Sequence, residues 1–344
     1  MRKLATVRKI LTIDPIEGAD SIEVATVGGW KVVVKKGQYQ VGDLVIYCEI
    51  DSWIPTDLAP FLSNGKEPRE YNGVKGERLR TVKLRGQISQ GLLLSGTICH
   101  TGLMVHRPDS MAHIFKEDDD VSEWLNIQKW EAPVPAQLAG VTKGSFPSFI
   151  PKTDQERIQN LVCEIEEAAK SGALFEVTEK LEGSSMTCFL HQGVFGVCSR
   201  NLELKQDSNN TFWATAIKLK IEEKMKDHDE FWDFAIQGEL VGPGIQGNIY
   251  KLTEHNFFVY DVYDIQAGKY MNSFDRNRLV KNLGLSHVPV IGLYEKVGSS
   301  IDTELTIAEG KSTLNPKQER EGIVYKQLDK DFSFKVISNR YLLK

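Results

Sequence analysis

The stretch Glu179-Lys180-Leu181-Glu182-Gly183-Ser184-Ser185 lies just past the middle of the chain, after a short strand-like segment at 174–178. A free lysine, with a pKa of about 10.4, is a poor nucleophile at neutral pH. A neighbouring cation or a bound metal would lower the pKa of Lys180 and free its amine to attack phosphorus or a carbonyl carbon. The alternative is an exposed Lys-Glu pair in a hairpin, and these seven residues alone favour that alternative.

The composition is typical of a globular chain with two domains. The chain has 344 residues, of which 41% are hydrophobic and 26% charged, and its formal net charge is -5. A site for nucleic acid would therefore have to be a local basic patch. Five scattered cysteines form no CxxC pair, and no apolar run is long enough to span a bilayer. We therefore expect a cytoplasmic protein with no membrane partner.

The N-terminal third is rich in short strand patterns. They lie at 4–7, 22–27, 30–34 and 44–48, and Gly28-Gly29 predicts a hairpin turn between the second and the third. Strands this closely spaced favour a small barrel of the OB type. Residues 78–85 alternate basic and apolar side chains, so a single strand there would turn Arg78, Arg80 and Lys83 or Arg85 to solvent. Such a strand could line a groove for a phosphate backbone or be an ordinary solvated face, and the pattern leaves both open.

A change of composition follows this region. Four of the twelve prolines fall within 131–152, which predicts an extended linker. Thr153-Asp154-Gln155-Glu156 fits a capping box, so we expect a helix to begin there, with apolar residues between 158 and 165 on its buried face. A second helix is predicted over 211–225.

Residues 242–247 fit the pattern G-x-G-x-x-G of dinucleotide-binding sites. That site requires a helix to begin at the glycines. The strand pattern at 257–261 follows so soon that no crossover helix fits between them. We therefore reject a dinucleotide site here.

Several strand patterns after Lys180 contain a charged residue or are followed by one. A hairpin at 186–198 is followed by Ser199-Arg200-Asn201, and a buried strand at 234–240 contains Glu239. The segment 321–326 places an apolar run between Glu321 and Lys326. The strand 332–337 carries the single Lys335, which would be costly to bury without an anionic partner.

Taken in order, these stretches resemble the successive motifs of the covalent nucleotidyltransferase superfamily, which includes DNA ligases, RNA ligases and messenger-RNA capping enzymes. Glu179-Lys180 and residues 238–245 resemble the nick-sealing RNA ligases in particular. The resemblance implies an α+β fold in three parts. These are an N-terminal OB-like β-barrel domain that binds nucleic acid (1–130), a Pro-rich linker (131–152) and an antiparallel-sheet adenylyltransferase domain (153–344).

The resemblance also implies a reaction. Lys180 would attack the α-phosphate of ATP to form lysyl-AMP, and AMP would then pass to a 5′-phosphate at a nick. The 3′-hydroxyl would displace AMP and seal the strand. The expected partner is a nicked duplex with RNA on the 3′-hydroxyl side, and the enzyme is expected to act as a monomer.

Roles for the surrounding residues follow from the same resemblance. Carboxylates suit Mg²⁺ or Mn²⁺, and lysines facing the α-phosphate would stabilise charge in the transition state. Nearby cations would also lower the pKa of Lys180. The implied assignments are Glu179 for the adenine edge, Tyr260 for stacking on the base, Glu182 and Arg200 for the ribose or phosphate side, Gly183 for a tight turn close to the ligand, Glu239 for the sugar or metal, Glu321 for the divalent cation, and Lys326 and Lys335 for the α-phosphate.

Two positions depart from the superfamily pattern. Glu182 stands where aspartate is usual, which keeps the chemistry and lengthens the reach. Ser333 stands where the first of two lysines is often found, and it is given no role. The rival interpretations are a DNA ligase or capping-type enzyme, marked by GTP specificity or a C-terminal OB domain, and a non-catalytic nucleic-acid-binding protein. The intact Lys180, Glu239 and Glu321 argue against the non-catalytic alternative.

Overall fold

The computed structural model describes residues 3–131, 140–228, 233–298 and 300–343. The chain forms two compact units. The first comprises residues 1–133, 159–162 and 343, and the second comprises residues 134–158, 163–342 and 344.

Short strands dominate the first unit, together with a 3₁₀ helix at Pro60–Ser63. In chain order the strands are β1 (Ala5–Pro15), β2 (Ile22–Val27), β3 (Trp30–Lys35), β4 (Leu44–Cys48), β5 (Ser52–Pro55), β6 (Arg69–Tyr71), β7 (Val74–Arg78), β8 (Val82–Leu84), β9 (Gln87–Ser89), β10 (Leu92–Leu94), β11 (Thr97–Cys99), β12 (Gly102–His106), β13 (Ala112–Phe115) and β14 (Gln128–Lys129).

The principal sheet of this unit is antiparallel, with strand order β10-β4-β1-β2-β3. Just before β10, the backbone N–H of Gln90 donates to the carbonyl of Lys31 on β3 (2.8 Å), so the two ends of the sheet nearly close into a barrel. The predicted turn between β2 and β3 is present, and Gly28 takes a φ of 53° that suits glycine. The predicted OB-like barrel is confirmed.

The predicted basic strand at 78–85 is wrong as a continuous element. Strand β7 ends at Arg78, whose guanidinium pairs with Asp51 (2.6 Å) and lies 3.8 Å from the ring centre of Trp130. Strands β8 and β9 then form a separate hairpin. Its turn contains Arg85 and Gly86, both with positive φ. Arg80, Lys83 and Arg85 are exposed, so three of the four predicted basic residues face solvent.

The helix predicted to begin at Thr153 is also not found there. Residues 153–155 have no regular structure, Glu156–Arg157 form strand β16, and Ile158–Asn160 form a 3₁₀ helix. The α-helix α1 begins only at Val162 and ends at Ser171. The polar groups expected to cap a helix instead bond to distant residues, as the site geometry below shows.

Residues 159–162 belong to the first unit. The carbonyl of Gln159 accepts from the backbone N–H of Gly29 (3.1 Å), and Asn160 Oδ1 accepts from Trp30 Nε1 (2.6 Å). A Cβ atom at Gly29 would lie 2.8 Å from Gln159 Cα, so glycine permits this close approach.

The second unit contains two sheets and most of the helices. Its strands are β15 (Thr142–Ser145), β16 (Glu156–Arg157), β17 (Leu174–Lys180), β18 (Ser184–His191), β19 (Val194–Cys198), β20 (Leu202–Leu204), β21 (Phe234–Val241), β22 (Asn256–Asp264), β23 (Lys269–Tyr270), β24 (Ser286–His287), β25 (Val290–Lys296), β26 (Gly322–Gln327) and β27 (Ser333–Ile337). After α1 its helices are α2 (Thr211–Lys218), α3 (Ile221–Lys226), α4 (Ser273–Asn282), α5 (Ile301–Ala308) and α6 (Asn339–Leu342).

The larger sheet has the order β15-β20-β19-β18-β21-β22-β23, and β24 pairs in parallel with β22. The smaller sheet has the order β16-β27-β26-β17-β25. A core that includes Trp213, Phe234 and Phe257 packs against one face of the larger sheet. The chain passes from the smaller to the larger sheet between β17 and β18, and this crossing carries the sequence around Lys180.

Three further expectations can be compared with the structure. The helix predicted over 211–225 is divided into α2 and α3, because Lys220 takes a left-handed conformation with φ 54°. No helix starts in the described residues 242–255, which agrees with the rejected dinucleotide site. Part of the predicted linker, 132–139, lies outside the described residues, and the remainder contains β15.

Candidate active site

Lys180 is the last residue of β17 and is opposite Gly322 on the neighbouring strand β26. Glu321 comes immediately before β26, so this register places its carboxylate beside the lysine. Lys180 Nζ lies 2.6 Å from Glu321 Oε1. Two residues that are far apart in the sequence are therefore paired by the backbone of the smaller sheet.

Glu239 completes this group from the larger sheet, where it is opposite Ser185. Burial and the nearby Glu321 raise the pKa of Glu239 to about 8, against the opposing effects of Lys180, Arg200 and the Gly183 N–H. Two acidic side chains thus lie near one ammonium group, and the raised pKa of Glu239 reflects the cost of a second buried carboxylate beside Glu321.

The pKa of Lys180 was expected to be lowered, and the structure reverses that expectation. Burial does lower it, and Arg157 adds a smaller lowering effect, but Glu321 and Glu239 outweigh both and raise the pKa of Lys180. The carboxylates therefore keep the amine protonated. A nucleophilic amine at this position requires additional positive charge to neutralise the acids.

Glycine is required at position 183 by close packing and not by its backbone conformation, because its φ is not positive. A Cβ atom there would lie 2.5 Å from the carbonyl oxygen of Leu240 and 2.8 Å from Cγ of Glu239. The glycine therefore lets the turn after Lys180 lie directly against β21. The sequence predicted a close approach at this position, and the structure shows such an approach to a strand of the protein itself.

Glu179 is buried, and only one of its two carboxylate oxygens has a hydrogen-bond partner among the described residues. Its Oε2 accepts from the backbone N–H of Thr313 (2.7 Å), whereas Oε1 has no hydrogen-bond partner among the described residues. A buried acceptor without a donor is unfavourable, so Oε1 suits a donor supplied by a ligand.

The side chain of Tyr260 reaches the same region from β22. Its hydroxyl lies 3.0 Å from Thr153 Oγ1 and 3.2 Å from Ser185 Oγ. Burial raises the pKa of Tyr260, and the nearby Glu239 raises it further. The ring is therefore neutral and held by its hydroxyl next to the Glu239 carboxylate.

Arg200 and Lys335 are brought together by a residue that sequence analysis did not select. Asp154 lies 3.5 Å from the Arg200 guanidinium and 3.3 Å from Lys335 Nζ. Strand β16 causes this placement, because it pairs in parallel with β27 and sets Arg157 opposite Lys335. The arrangement shows that a negatively charged group can lie between these two cations.

Lys326 lies deeper than expected for a phosphate ligand. Its Nζ donates to Asp261 Oδ1 and to the carbonyl of Tyr260, both at 2.5 Å. Burial lowers the pKa of Lys326 to about 8 although Asp261 acts in the opposite direction. Its ammonium is thus bound by the protein's own acceptors.

Behind Lys326 is a network of buried charges that sequence analysis missed. The guanidinium of Arg276 donates to Glu176 and to His287 Nε2 (3.1 Å), and it lies 3.9 Å from Asp261. Arg276 and Glu176 are almost fully buried. Burial and Arg276 lower the pKa of His287 to about 4, so this imidazole is neutral.

Glu182 is fixed through both its backbone and its side chain. Its backbone N–H donates to the Tyr250 hydroxyl (2.5 Å), and its carboxylate accepts a hydrogen bond from Tyr341. Tyr250 and Tyr341 carried no sequence signal that linked them to Lys180. Neither belongs to the motif stretches quoted above.

The carboxylates of this site suit a divalent cation that is coordinated jointly by the protein and by the bound nucleotide. Within the described ranges, no group of three or more His, Cys, Asp or Glu side chains is arranged around a common metal position. Mg²⁺ often binds only one or two carboxylates and completes its shell with phosphate oxygens and water. Glu239 and Glu321, which both act on the charge of Lys180, supply two such carboxylates.

Comparison with known proteins shows the family of the chain. A family model described as RNA ligase matches residues 173–337, and one described as an OB-fold domain matches residues 4–95. The chain belongs to the RNA ligase family. This finding favours the RNA ligase interpretation over the DNA ligase, capping-type and non-catalytic alternatives.

Solved structures of Naegleria gruberi RNA ligase are similar to nearly the whole chain. Mutant forms with AMP and Mn and with ATP and Mn, and a structure with PPi, are each 42% identical to it. Each match covers 99% of this chain and 98% of the other, with a TM-score of 0.87. No curated protein matches the sequence. Within the described residues, no helix has both the length and the apolar character needed to cross a membrane.

Proposed function

We propose that the protein is an ATP-dependent RNA ligase that joins 3′-hydroxyl and 5′-phosphate ends at a nick through lysyl-AMP formed on Lys180. The observation that supports it most directly is the position of Lys180 at a strand end, with Glu321 and Glu239 beside its amine. The similar ligase from Naegleria gruberi was solved with ATP and Mn and with AMP and Mn. This supports a nucleotide and a divalent metal as ligands here.

The proposed reaction has three transfers. After its ammonium loses a proton, Lys180 Nζ attacks the α-phosphorus of ATP, an N–P bond forms, and pyrophosphate leaves with the electrons of the broken P–O bond. An oxygen of the 5′-phosphate next attacks the same phosphorus, the N–P bond breaks, and the lysine is regenerated. The 3′-hydroxyl then attacks the 5′-phosphorus, loses its proton and displaces AMP.

We propose that Glu239 and Glu321 hold Mg²⁺ or Mn²⁺ together with phosphate oxygens. A divalent ion would neutralise the two carboxylates and so lower the pKa of Lys180, which they otherwise raise. Removing metal with EDTA should therefore abolish adenylylation, and added Mg²⁺ or Mn²⁺ should restore it.

Glu179 and Tyr260 are proposed to bind the adenine. The unpartnered Oε1 of Glu179 is an acceptor that suits the exocyclic amine of adenine, which guanine does not present at that edge. Tyr260 offers an aromatic face for the base. Efficient labelling of the enzyme by GTP would contradict this assignment.

The remaining cations are proposed to contact phosphate. Arg200 and Lys335 already hold the carboxylate of Asp154 between them, and an incoming phosphate or ribose oxygen could take the place of that anion. Glu182, although it is an anion, is proposed to contact the ribose or phosphate side of the nucleotide together with Arg200. Lys326 is kept as a proposed α-phosphate ligand, and reaching the phosphate would require its ammonium to turn from Asp261.

The proposed substrate is a nicked duplex with RNA on the 3′-hydroxyl side, bound by a monomer in the cytoplasm. The β8–β9 hairpin supplies an exposed basic surface made of Arg80, Lys83 and Arg85. Phosphate contacts from such residues would provide affinity without sequence specificity.

Covalent labelling tests the central step. The protein is incubated with α-labelled ATP and Mg²⁺ or Mn²⁺, and label on the polypeptide is measured. Lys180→Ala and Lys180→Arg should abolish the label, because alanine has no amine and arginine stays protonated. Lys170→Ala is the matched control, since Lys170 is an exposed lysine in the same unit. Wild-type labelling of either Lys180 variant would refute the proposal.

Salt dependence tests the proposed nucleic-acid surface. Replacing Arg80, Lys83 and Arg85 by Gln should weaken binding to nicked duplex, and the slope of log K against log salt should fall by about 0.9 for each phosphate that the protein no longer neutralises. A matched variant replaces the exposed Lys35, Lys36 and Lys66 of the same unit. An equal loss of affinity in both variants would show that only the total charge matters.

A further inference from the structure

The glycine-rich stretch after β21 does not form a dinucleotide site, and it contacts the turn that follows Lys180 instead. We call residues 242–252 the glycine-rich loop. Gly242, Gly244, Gln246, Asn248 and Lys251 all have positive φ, so the loop winds tightly without forming a helix. Its end is closed by Asn248, whose side chain donates to the carbonyl of Leu252 (3.0 Å) and accepts from its N–H (3.2 Å). A backbone so specifically shaped indicates a defined role.

The glycine-rich loop contacts the turn that follows Lys180. The hydroxyl of Tyr250 accepts from the backbone N–H of Glu182 (2.5 Å). Gln246 Nε2 donates to the carbonyl of Gly183 (3.3 Å). The loop therefore binds two backbone groups of this turn, accepting from the N–H of Glu182 and donating to the carbonyl of Gly183.

The loop is itself anchored on the side away from this turn. Asn315 Nδ2 donates to the carbonyl of Ile249 (2.8 Å), directly before Tyr250. Tyr250 is 4% exposed and belongs to a buried cluster with Leu181, Val241 and Val288. Because Leu181 follows Lys180, the tyrosine supports the turn through packing as well as through its hydroxyl.

We propose that Tyr250, assisted by Gln246, is a positioning residue for Lys180. It holds the backbone two residues after the nucleophile, so that Nζ keeps the alignment needed to attack the α-phosphorus. The inference rests on the proposed function of Lys180. A displacement of about 1 Å at a reacting group can reduce a rate about 10²-fold, so one well-placed hydrogen bond can matter for the first step.

A purely structural hydrogen bond would have a different effect from a positioning one. Removing a structural bond lowers the fraction of folded enzyme, and it reduces lysyl-AMP formation and the later sealing step alike. Removing a positioning bond reduces the step in which Lys180 is the nucleophile. It leaves sealing at a preadenylylated nick intact, because there the 3′-hydroxyl attacks.

Tyr250→Phe separates these possibilities, since it removes the hydroxyl and keeps the ring. At saturating ATP, single-turnover lysyl-AMP formation should fall about tenfold, roughly the effect of removing one hydrogen bond. The KM for ATP should stay within about twofold, and sealing at a preadenylylated nick within about threefold. Gln246→Ala, at an exposed position, should give a smaller loss of the same kind.

Tyr39→Phe is the matched control, because Tyr39 is also buried and donates to the carbonyl of Leu93 in the first unit. Rates are normalised to the active fraction of each preparation. Wild-type lysyl-AMP formation by Tyr250→Phe, or equal losses in both steps, would overturn the inference. Lys180→Ala run in parallel distinguishes this failure from that of the proposed function, which fails only if Lys180→Ala still takes the label.

Discussion

Gly183→Ala is expected to disable the first step because the turn after Lys180 lies directly against β21. The added Cβ would be 2.5 Å from the Leu240 carbonyl oxygen, whereas ordinary contact begins at 3.4 Å, so the turn must retreat by about 0.9 Å. Strand β21 is paired on both sides and resists moving. The turn that carries Lys180 must therefore move away from Glu239.

A shift of this size corresponds to about a 10²-fold loss of rate. The assay is single-turnover lysyl-AMP formation at saturating α-labelled ATP, with each rate normalised to active enzyme. Gly144→Ala is the matched control, since a Cβ there meets nothing within 4 Å. A Gly183→Ala rate within about threefold of wild type would refute the steric argument.

Two further predictions concern the buried charges behind Lys326. Arg276→Met should lower the free energy of unfolding by about 3–5 kcal/mol because it leaves the Glu176 carboxylate buried without its cation, and adding Glu176→Gln should recover much of that loss in urea unfolding. The lowered pKa of His287, about 4, means that the unfolded chain takes up the proton first, so stability present above pH 6.5 should fall as the pH drops towards 4. His287→Asn should flatten this dependence in urea midpoints measured across that range, and an unchanged slope would contradict it.

Three strands that carry site residues could be predicted from the sequence. Lys180, Glu239 and Lys335 each lie on a strand whose apolar residues mark it clearly, and the strand boundaries agree closely with the patterns. The order of these strands supplied the family resemblance. Local patterns were sufficient because each of these residues lies on a regular element.

The residues that hold the site in place could not be predicted in this way. Glu176 and Arg276 are separated by 100 positions, and neither residue type indicates a buried pair before the fold is known. The raised pKa of Lys180 has the same origin, because it depends on two carboxylates that are distant from Lys180 in the sequence. Only their arrangement in space shows that the acids outweigh the effect of burial.

The capping-box prediction failed for a specific physical reason. Thr153 and Asp154 have the side chains that cap helices, but a distant partner can satisfy the same groups. Here Thr153 bonds to Tyr260, and Asp154 pairs with Arg200 and Lys335. Thr153 and Asp154 therefore bond to residues that are distant in the sequence and do not cap a helix.

The position of residues 159–162 affects how this enzyme could be divided or recombined. The chain leaves the second unit after Ile158, contributes four residues to the first, and returns at Cys163, the second residue of α1. A genetic split before Thr153 would therefore give a catalytic fragment that still carries Asn160, the partner of Trp30 in the other fragment. Separating the two halves would therefore break the hydrogen bond between Trp30 and Asn160, and exchanging the catalytic half between ligases would have to preserve residues 159–162.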